Sequence, residues 1–223
     1  MYKKIFKNQI WHFMLMVIFI VIIKWGVTLD KEVLNGCLFG INTKFWFWVG
    51  IFIPILHQMY VFIIWRFELY TSVFTKKMGL KKAFQTYAIG FTILFVLRLI
   101  SIILLAYSNK NTLDINPMYS YIVAVFIIPF VIYLFYSVKK YFTIERAYGI
   151  DHFDKEYNVP YVKKGIFRYV NNGMYIFGLL ILYLPGLLLL SKAGILVAIF
   201  NHIYIWVHYY TVELPDMKYI YKK

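Results

Sequence analysis

His202, Trp206, Tyr209 and Glu213 stand at offsets of 0, 4, 7 and 11, the spacing of one face of a helix. Asn201 and His208 fall on the neighbouring face. A second set precedes them: Asn172, Tyr175 and Gly178, again at helical spacing, with Arg168 and Asn171 just upstream. The two sets lie in consecutive apolar stretches separated by Ser191-Lys192, too few residues for anything but an antiparallel hairpin. The start of one arm and the end of the other then lie side by side. Asn171, Asn172, Tyr175, Tyr209 and Glu213 are expected to converge there, next to Arg168. An acid at the end of a membrane span, facing amides and phenols, makes a polar pocket at a bilayer surface, and an ionisable group in that position is a functional-site candidate.

The elements that must hold this pocket follow from the apolar pattern. Of 223 residues, 62% are hydrophobic and 22% aromatic, far above the roughly 45–50% apolar content of soluble domains. About 20 mostly apolar residues cross a bilayer. Six stretches qualify: 10–27, 45–65, 83–107, 118–138, 174–190 and 193–212. The expected fold is therefore all-α, a polytopic transmembrane bundle of about six helices in one membrane domain over residues 1–223. The first stretch follows Lys3, Lys4 and Lys7 and has no small-residue cleavage site after it, since Lys24-Trp25 comes next; it reads as a retained helix. Cys37 is the only cysteine, which excludes an internal disulfide.

The net charge is +14. With a cytoplasmic N-terminus, eighteen of the 24 Lys and Arg residues fall in cytoplasmic segments and five outside, with Arg98 inside a span. That bias expects both termini, and the polar segment 141–172, to face the cytoplasm. The basic excess suits anionic lipid rather than nucleic acid. The 141–172 segment is too polar to span and rich in aromatics, so it is expected to lie at the interface over the helix ends. Within it, His152 is a candidate for ligand contact. Gly165 and Asn171-Asn172-Gly173 supply turn chemistry just before the fifth stretch. Lys76, Lys77, Lys81 and Lys82 read as a headgroup-facing cluster, and Arg98, His57 and His12 as bundle-interior residues. There is no phosphate-cradling glycine loop, paired-cysteine site or His-Glu-x-x-His, so no metal is expected.

The segment Gly165-Ile-Phe-Arg-Tyr-Val-Asn-Asn-Gly-Met-Tyr175 resembles, in register, the Gly-x-Tyr/Phe-Arg-Tyr-Val-Arg-His-Pro-x-Tyr-x-Gly pattern of the membrane methyltransferases that include isoprenylcysteine carboxyl methyltransferase and phosphatidylethanolamine N-methyltransferase. Glu213 matches the first of the family's two glutamates, with Met217 and Tyr221 at later apolar and aromatic positions; Tyr148-Gly149-Ile150 is similar to a short upstream element. The resemblance covers roughly 141–221. It divides the domain into a four-helix part, 1–138, and a methyltransferase-like part, 139–223. Asn172 and Gly173 replace the family His and Pro, Gly178 comes one residue late, and Leu214 replaces the second glutamate.

The resemblance implies an S-adenosylmethionine pocket opening to lipid, with Arg168, Asn171, Asn172, Tyr175, Gly178, Tyr209 and Glu213 binding the cofactor. Aromatic faces would hold its sulfonium, Glu213 its ribose hydroxyls or its positive charge, and Arg168 its carboxylate. An amine acceptor must lose a proton, and His152, His202 and His208 are the candidate bases. The acceptor implied is a lipid or lipophilic molecule, first an amine phospholipid headgroup and next a prenylcysteine carboxylate. Membrane sterol reductases using NADPH share a Gly-x-Phe-x-Tyr-Val segment and an acidic, Pro-containing tail like Glu213-Leu-Pro-Asp216, and usually place an acid where Leu179 stands. A non-enzymatic multi-pass protein would explain the helices but not the in-register loop.

Overall fold

The computed structural model describes residues 2–157 and 159–221. It is a bundle of helices joined by short connections, with one long irregular segment over one end. Five helical stretches are long and apolar enough to cross a membrane. The first is α1 (Gln9–Leu29), preceded by a short turn of helix, Tyr2–Ile5. α2 (Thr43–Thr71) and α3 (Leu80–Ser108) form an antiparallel pair, linked by a short helix, Val73–Met78. The fourth stretch is α4 (Pro117–Ser137), extended by a π-turn over Val138–Phe142. The chain is thus an integral membrane protein.

Local chemistry sets the helix starts. Asn42 caps α2 by accepting from the Phe45 N–H at 3.0 Å, and Asn116 caps α4 by accepting from Met118 at 3.0 Å, with Pro117 at the first helical position. Large apolar side chains such as Ile10, Trp11, Val125 and Phe126 remain exposed on the outer faces, as lipid contact requires. The buried core runs through Phe47, Ile51, Ile102, Leu105, Ala193, Val197 and Tyr204, where α2, α3 and the C-terminal hairpin meet.

The fifth apolar stretch departs from the expected full-length span. It is a shorter broken helix, α5 (Gly173–Leu188), in which α-helical turns at Gly173–Phe177 and Tyr183–Leu188 flank a 3₁₀ stretch at Gly178–Leu182. Pro185 lies in the first turn of the second α-helical piece, where the N–H it lacks, which would bond back to Ile181, is not needed. The larger rise of the 3₁₀ turns partly compensates: end to end the segment reaches at most ~27 Å, close to the thickness of a hydrocarbon core. Its partner arm, α6 (Lys192–His208), packs against it through glycine. A Cβ on Gly186 would stand 2.7 Å from the Ile195 nitrogen, so the two backbones touch with no room for a side chain. At the closed end of the hairpin, Asn109 accepts from Ser191 Oγ and the Ala193 N–H, and donates through Nδ2 to the carbonyls of Glu32 and Asn35.

The polar segment 143–172 folds back over the opposite end of the bundle, where α2 and α4 finish and α5 begins. Phe153 is buried against Phe84 and Tyr87. Gly149, at φ +81°, lies flat on Trp65; a Cβ there would come within 2.4 Å of the indole ring. Gly149→Ala should therefore lower the midpoint of thermal unfolding in detergent clearly more than Gly79→Ala. Gly79 also has positive φ (+80°, with ψ 155°) but opens onto free space, so its substitution costs only backbone strain, on the order of 1–3 kcal/mol. Equal losses at the two positions would contradict the packing described.

Candidate functional site

Where the loop meets the ends of α2, α5 and α6 there is a cavity of ≈ 480 Å³, within the range of small-molecule sites. Its walls come from four places. Trp65 projects from α2. Phe142, at the end of the π-turn after α4, and Arg146, Gly149, Asp151, His152 and Tyr161 of the loop that follows it form a second side. Asn171, Asn172, Gly173, Met174 and Tyr175 lead into α5, and Tyr209, Glu213, Met217, Lys218 and Tyr221 come after α6.

The far wall depends on a break in helical register. After His208 the chain makes a π-turn, Tyr209–Glu213, in which the Leu214 N–H bonds back five residues to the Tyr209 carbonyl. One extra residue in a turn rotates the remainder of the helix by roughly 100°. His202 and Trp206 precede the turn, and Trp206, Tyr209 and Glu213 still meet the same partner on α5. Trp206 and Tyr209 stay with Tyr175, their ring centroids 5.9 and 5.7 Å from it, and the Tyr175 hydroxyl donates to the Glu213 carboxylate. His202 lies about two turns back along α6 from Tyr209, meets Tyr183 5.8 Å away on α5, and does not line the cavity. A short helix, α7 (Leu214–Ile220), continues from the π-turn.

Arg66 holds the turn in place. Its side chain is fully buried at the end of α2. Pro215 has no N–H to offer the Thr211 carbonyl, and Arg66 Nη2 donates there at 3.1 Å and to Val212 at 3.3 Å. Nε lies 2.7 Å from the Asp216 carboxylate on α7. Nη1 donates to the carbonyls of Lys4, Ile5 and Lys7, tying the N-terminal segment to the same point. Counted as a loop cation in the sequence reading, Arg66 is a structural hub. A basic residue at the end of an apolar stretch gives no sign of which carbonyls it will serve.

His152 lies between this hub and the cavity. It stacks on Trp65 at 4.0 Å, with Asp151 at 3.4 Å and Asp216 at 3.6 Å. Burial disfavours its charge, but the two carboxylates outweigh burial and raise it to about 9. Asp151 is likewise buried, which opposes its charge, yet His152 and the Tyr221 hydroxyl at 3.1 Å hold its carboxyl below the usual range. Burial and Asp151 together push the Tyr221 phenol up to about 12. His152 thus lines the cavity between two carboxylates that favour its charged form.

Three other expected residues are placed elsewhere. Arg168 is exposed, because the 3₁₀ turn Gly165–Arg168 buries Ile166 and Phe167 and turns the arginine out. Gly178 packs on Leu134, where a Cβ would come within 2.9 Å of it. His208 is buried near Trp65 and His12, with neither ring nitrogen hydrogen-bonded, and is not in the cavity wall. Two cations the sequence reading did not single out, Arg146 and Lys218, do line it. Among the described residues no cluster of metal-ligating side chains occurs.

Residues 116–223 match the family model described as phospholipid methyltransferase. The match begins at the cap of α4 and takes in every segment that lines the cavity except Trp65. No curated protein and no solved structure matches the chain.

Arg66→Ala should destabilise the protein by about 3–5 kcal/mol, since it strands the Asp216 carboxylate and several carbonyls out of water; chemical denaturation in detergent measures this. His152, whose folded value lies above the unfolded 6.5, contributes stability that is complete below pH 6.5 and is lost as pH rises through about 9. The unfolding temperature should fall across that interval in the native protein, and the fall should be smaller in His152→Gln.

Proposed function

We propose that this chain, whose residues 116–223 match the phospholipid methyltransferase family, is a membrane enzyme that transfers a methyl group from S-adenosylmethionine to a lipid acceptor, first an amine phospholipid headgroup. The observation that carries the reading is the cavity itself. The family-matched loop, α5 and the π-turn after α6 meet there around the Tyr175–Glu213 hydrogen bond.

The residues present fit such a cofactor. A sulfonium is attracted by aromatic faces, and Tyr175 and Tyr209 supply them beside the Glu213 carboxylate. Asn171 and Asn172 offer amide donors and acceptors for hydroxyls or a base edge. When bound, S-adenosylmethionine supplies an electrophilic methyl group. The protein's part is then to align donor and acceptor, because in-line displacement depends on positioning more than on acid–base groups. An ammonium acceptor still has to release a proton. His152 is held as a cation, and Asp151 is engaged by His152 and Tyr221, which leaves Glu213 as the carboxylate best able to take that proton. The Tyr175 hydroxyl steadies Glu213 in either role. The bias of Lys and Arg toward the segments at the cavity end of the bundle favours a cytoplasmic site, with both termini on that side.

The test is ligand-dependent stability. S-Adenosylhomocysteine should raise the unfolding temperature of the detergent-solubilised protein, and NADPH should not. Tyr175→Phe and Glu213→Gln should each weaken S-adenosylhomocysteine about tenfold while leaving the far-UV circular dichroism unchanged. Methyl-labelled cofactor added with total membrane lipid should place label on an amine phospholipid. Stabilisation by NADPH alone would instead point to a reductase, and label on a prenylated cysteine would change the acceptor.

A further inference from the structure

The cavity holds more positive than negative charge. Glu213 and Asp151 are its carboxylates; His152, Arg146 and Lys218 are its basic groups. His152 is consumed by its contacts with Asp151 and Asp216. The other two are uncommitted: among the described residues, neither Arg146 nor Lys218 is within ion-pair distance of a carboxylate.

Arg146 is also held still. Its Nη1 donates to the Pro160 carbonyl at 2.9 Å, and its guanidinium lies 5.0 Å from the centre of the Phe142 ring. One contact fixes an edge of the fork and the other fixes its plane, which leaves donors free on a pre-set guanidinium. Its surroundings are shared with the rest of the pocket. The Tyr161 phenol is raised by burial and by the nearby Tyr209 and Glu213, and Arg146 opposes that rise; Tyr161 thus stands within reach of both the acidic and the basic ends. Asp151 also feels Arg146, but it is bonded to His152 and Tyr221 and so does not neutralise it.

We propose that Arg146, assisted by Lys218 from α7, is an anion-binding point of this cavity that takes a phosphate or carboxylate group of the bound ligands. Two ligands of the proposed reaction carry such a group: the phosphodiester of a phospholipid headgroup and the carboxylate of the methyl donor. The identity of these ligands rests on the methyltransferase reading; the uncompensated cations do not.

The experiment compares native protein with Arg146→Gln, Arg146→Lys and Lys218→Gln. Binding of S-adenosylhomocysteine and of methylthioadenosine, the same thionucleoside with a methyl group in place of the amino-acid arm that bears the carboxylate, is measured by calorimetry in detergent. Binding of a short-chain phosphatidylethanolamine is monitored by tryptophan fluorescence, since Trp65 lines the cavity. Arg146→Gln should weaken at least one anionic ligand about tenfold or more, with methylthioadenosine unchanged. Arg146→Lys should restore part of the loss, and Lys218→Gln should produce a smaller one. Loss confined to S-adenosylhomocysteine assigns the point to the donor carboxylate; loss confined to the phospholipid assigns it to the headgroup phosphate. Unchanged affinity for both, or an equal loss for methylthioadenosine, overturns the proposal. If native protein binds neither nucleoside but loses phospholipid binding in Arg146→Gln, the methyltransferase reading fails while the anion point stands.

Discussion

A guanidinium sealed inside the protein must find partners for all its N–H groups, because each one left unbonded out of water costs free energy. Arg66 meets that demand with backbone carbonyls from two distant parts of the chain and with Asp216. The same contacts fix the π-turn that carries Glu213, the start of α7, and the segment preceding α1. Asp216 in turn faces His152, which is stacked on Trp65 one residue before Arg66. The loop, the hairpin and the N-terminal segment are thus set relative to one another around one charge. The cavity lies beside that charge, between the loop, the start of α5 and the segment after α6.

This arrangement explains why the site is made of so many irregular elements. A regular helix bonds its own backbone groups and has none to spare, which is the requirement in lipid. At the cavity end the chain gives up that regularity repeatedly: in the π-turns at Val138–Phe142 and Tyr209–Glu213, the 3₁₀ turn at Gly165–Arg168, and the broken α5. Each frees or redirects a backbone group near the membrane surface, where Arg66, Ser137 or water can serve it. Ser137 does so by accepting from the Ile166 N–H at 3.1 Å. The opposite end of the bundle is closed in the ordinary way, by side-chain caps and by the Asn109 latch on the hairpin.

Much of the fold was legible in the chain alone. Apolar stretches of sufficient length have few options in a bilayer, and α1, α2, α3, α4 and α6 occur close to where the pattern puts them. The in-register segment around Gly165–Tyr175 pointed to the family that residues 116–223 match. The convergence of Asn171, Asn172, Tyr175, Tyr209 and Glu213 on one cavity also came out of hairpin geometry. Where the reading failed, it failed for a shared reason. His202 shares a helical face with Trp206 and Tyr209, but a shared face does not give depth: it lies about two turns from Tyr209 and meets Tyr183 rather than the cavity. Arg168 was assigned to the pocket from its position in the motif, while its direction is set by the burial of Ile166 and Phe167. His152 is a candidate base by residue type alone, and the two carboxylates beside it, one from the loop and one from α7, could not be read from its surroundings in the chain.

What the sequence determined by itself is the membrane class, the approximate limits of five long helices, and the family pattern of the C-terminal part. These depend on local composition and spacing, which a linear reading contains. Tertiary structure alone decided which charged groups face the cavity and in what state: Arg146 and Lys218 in, Arg168 out, His152 a bound cation, Arg66 a brace. Those outcomes depend on contacts between residues up to 150 positions apart, as between Arg66 and Asp216.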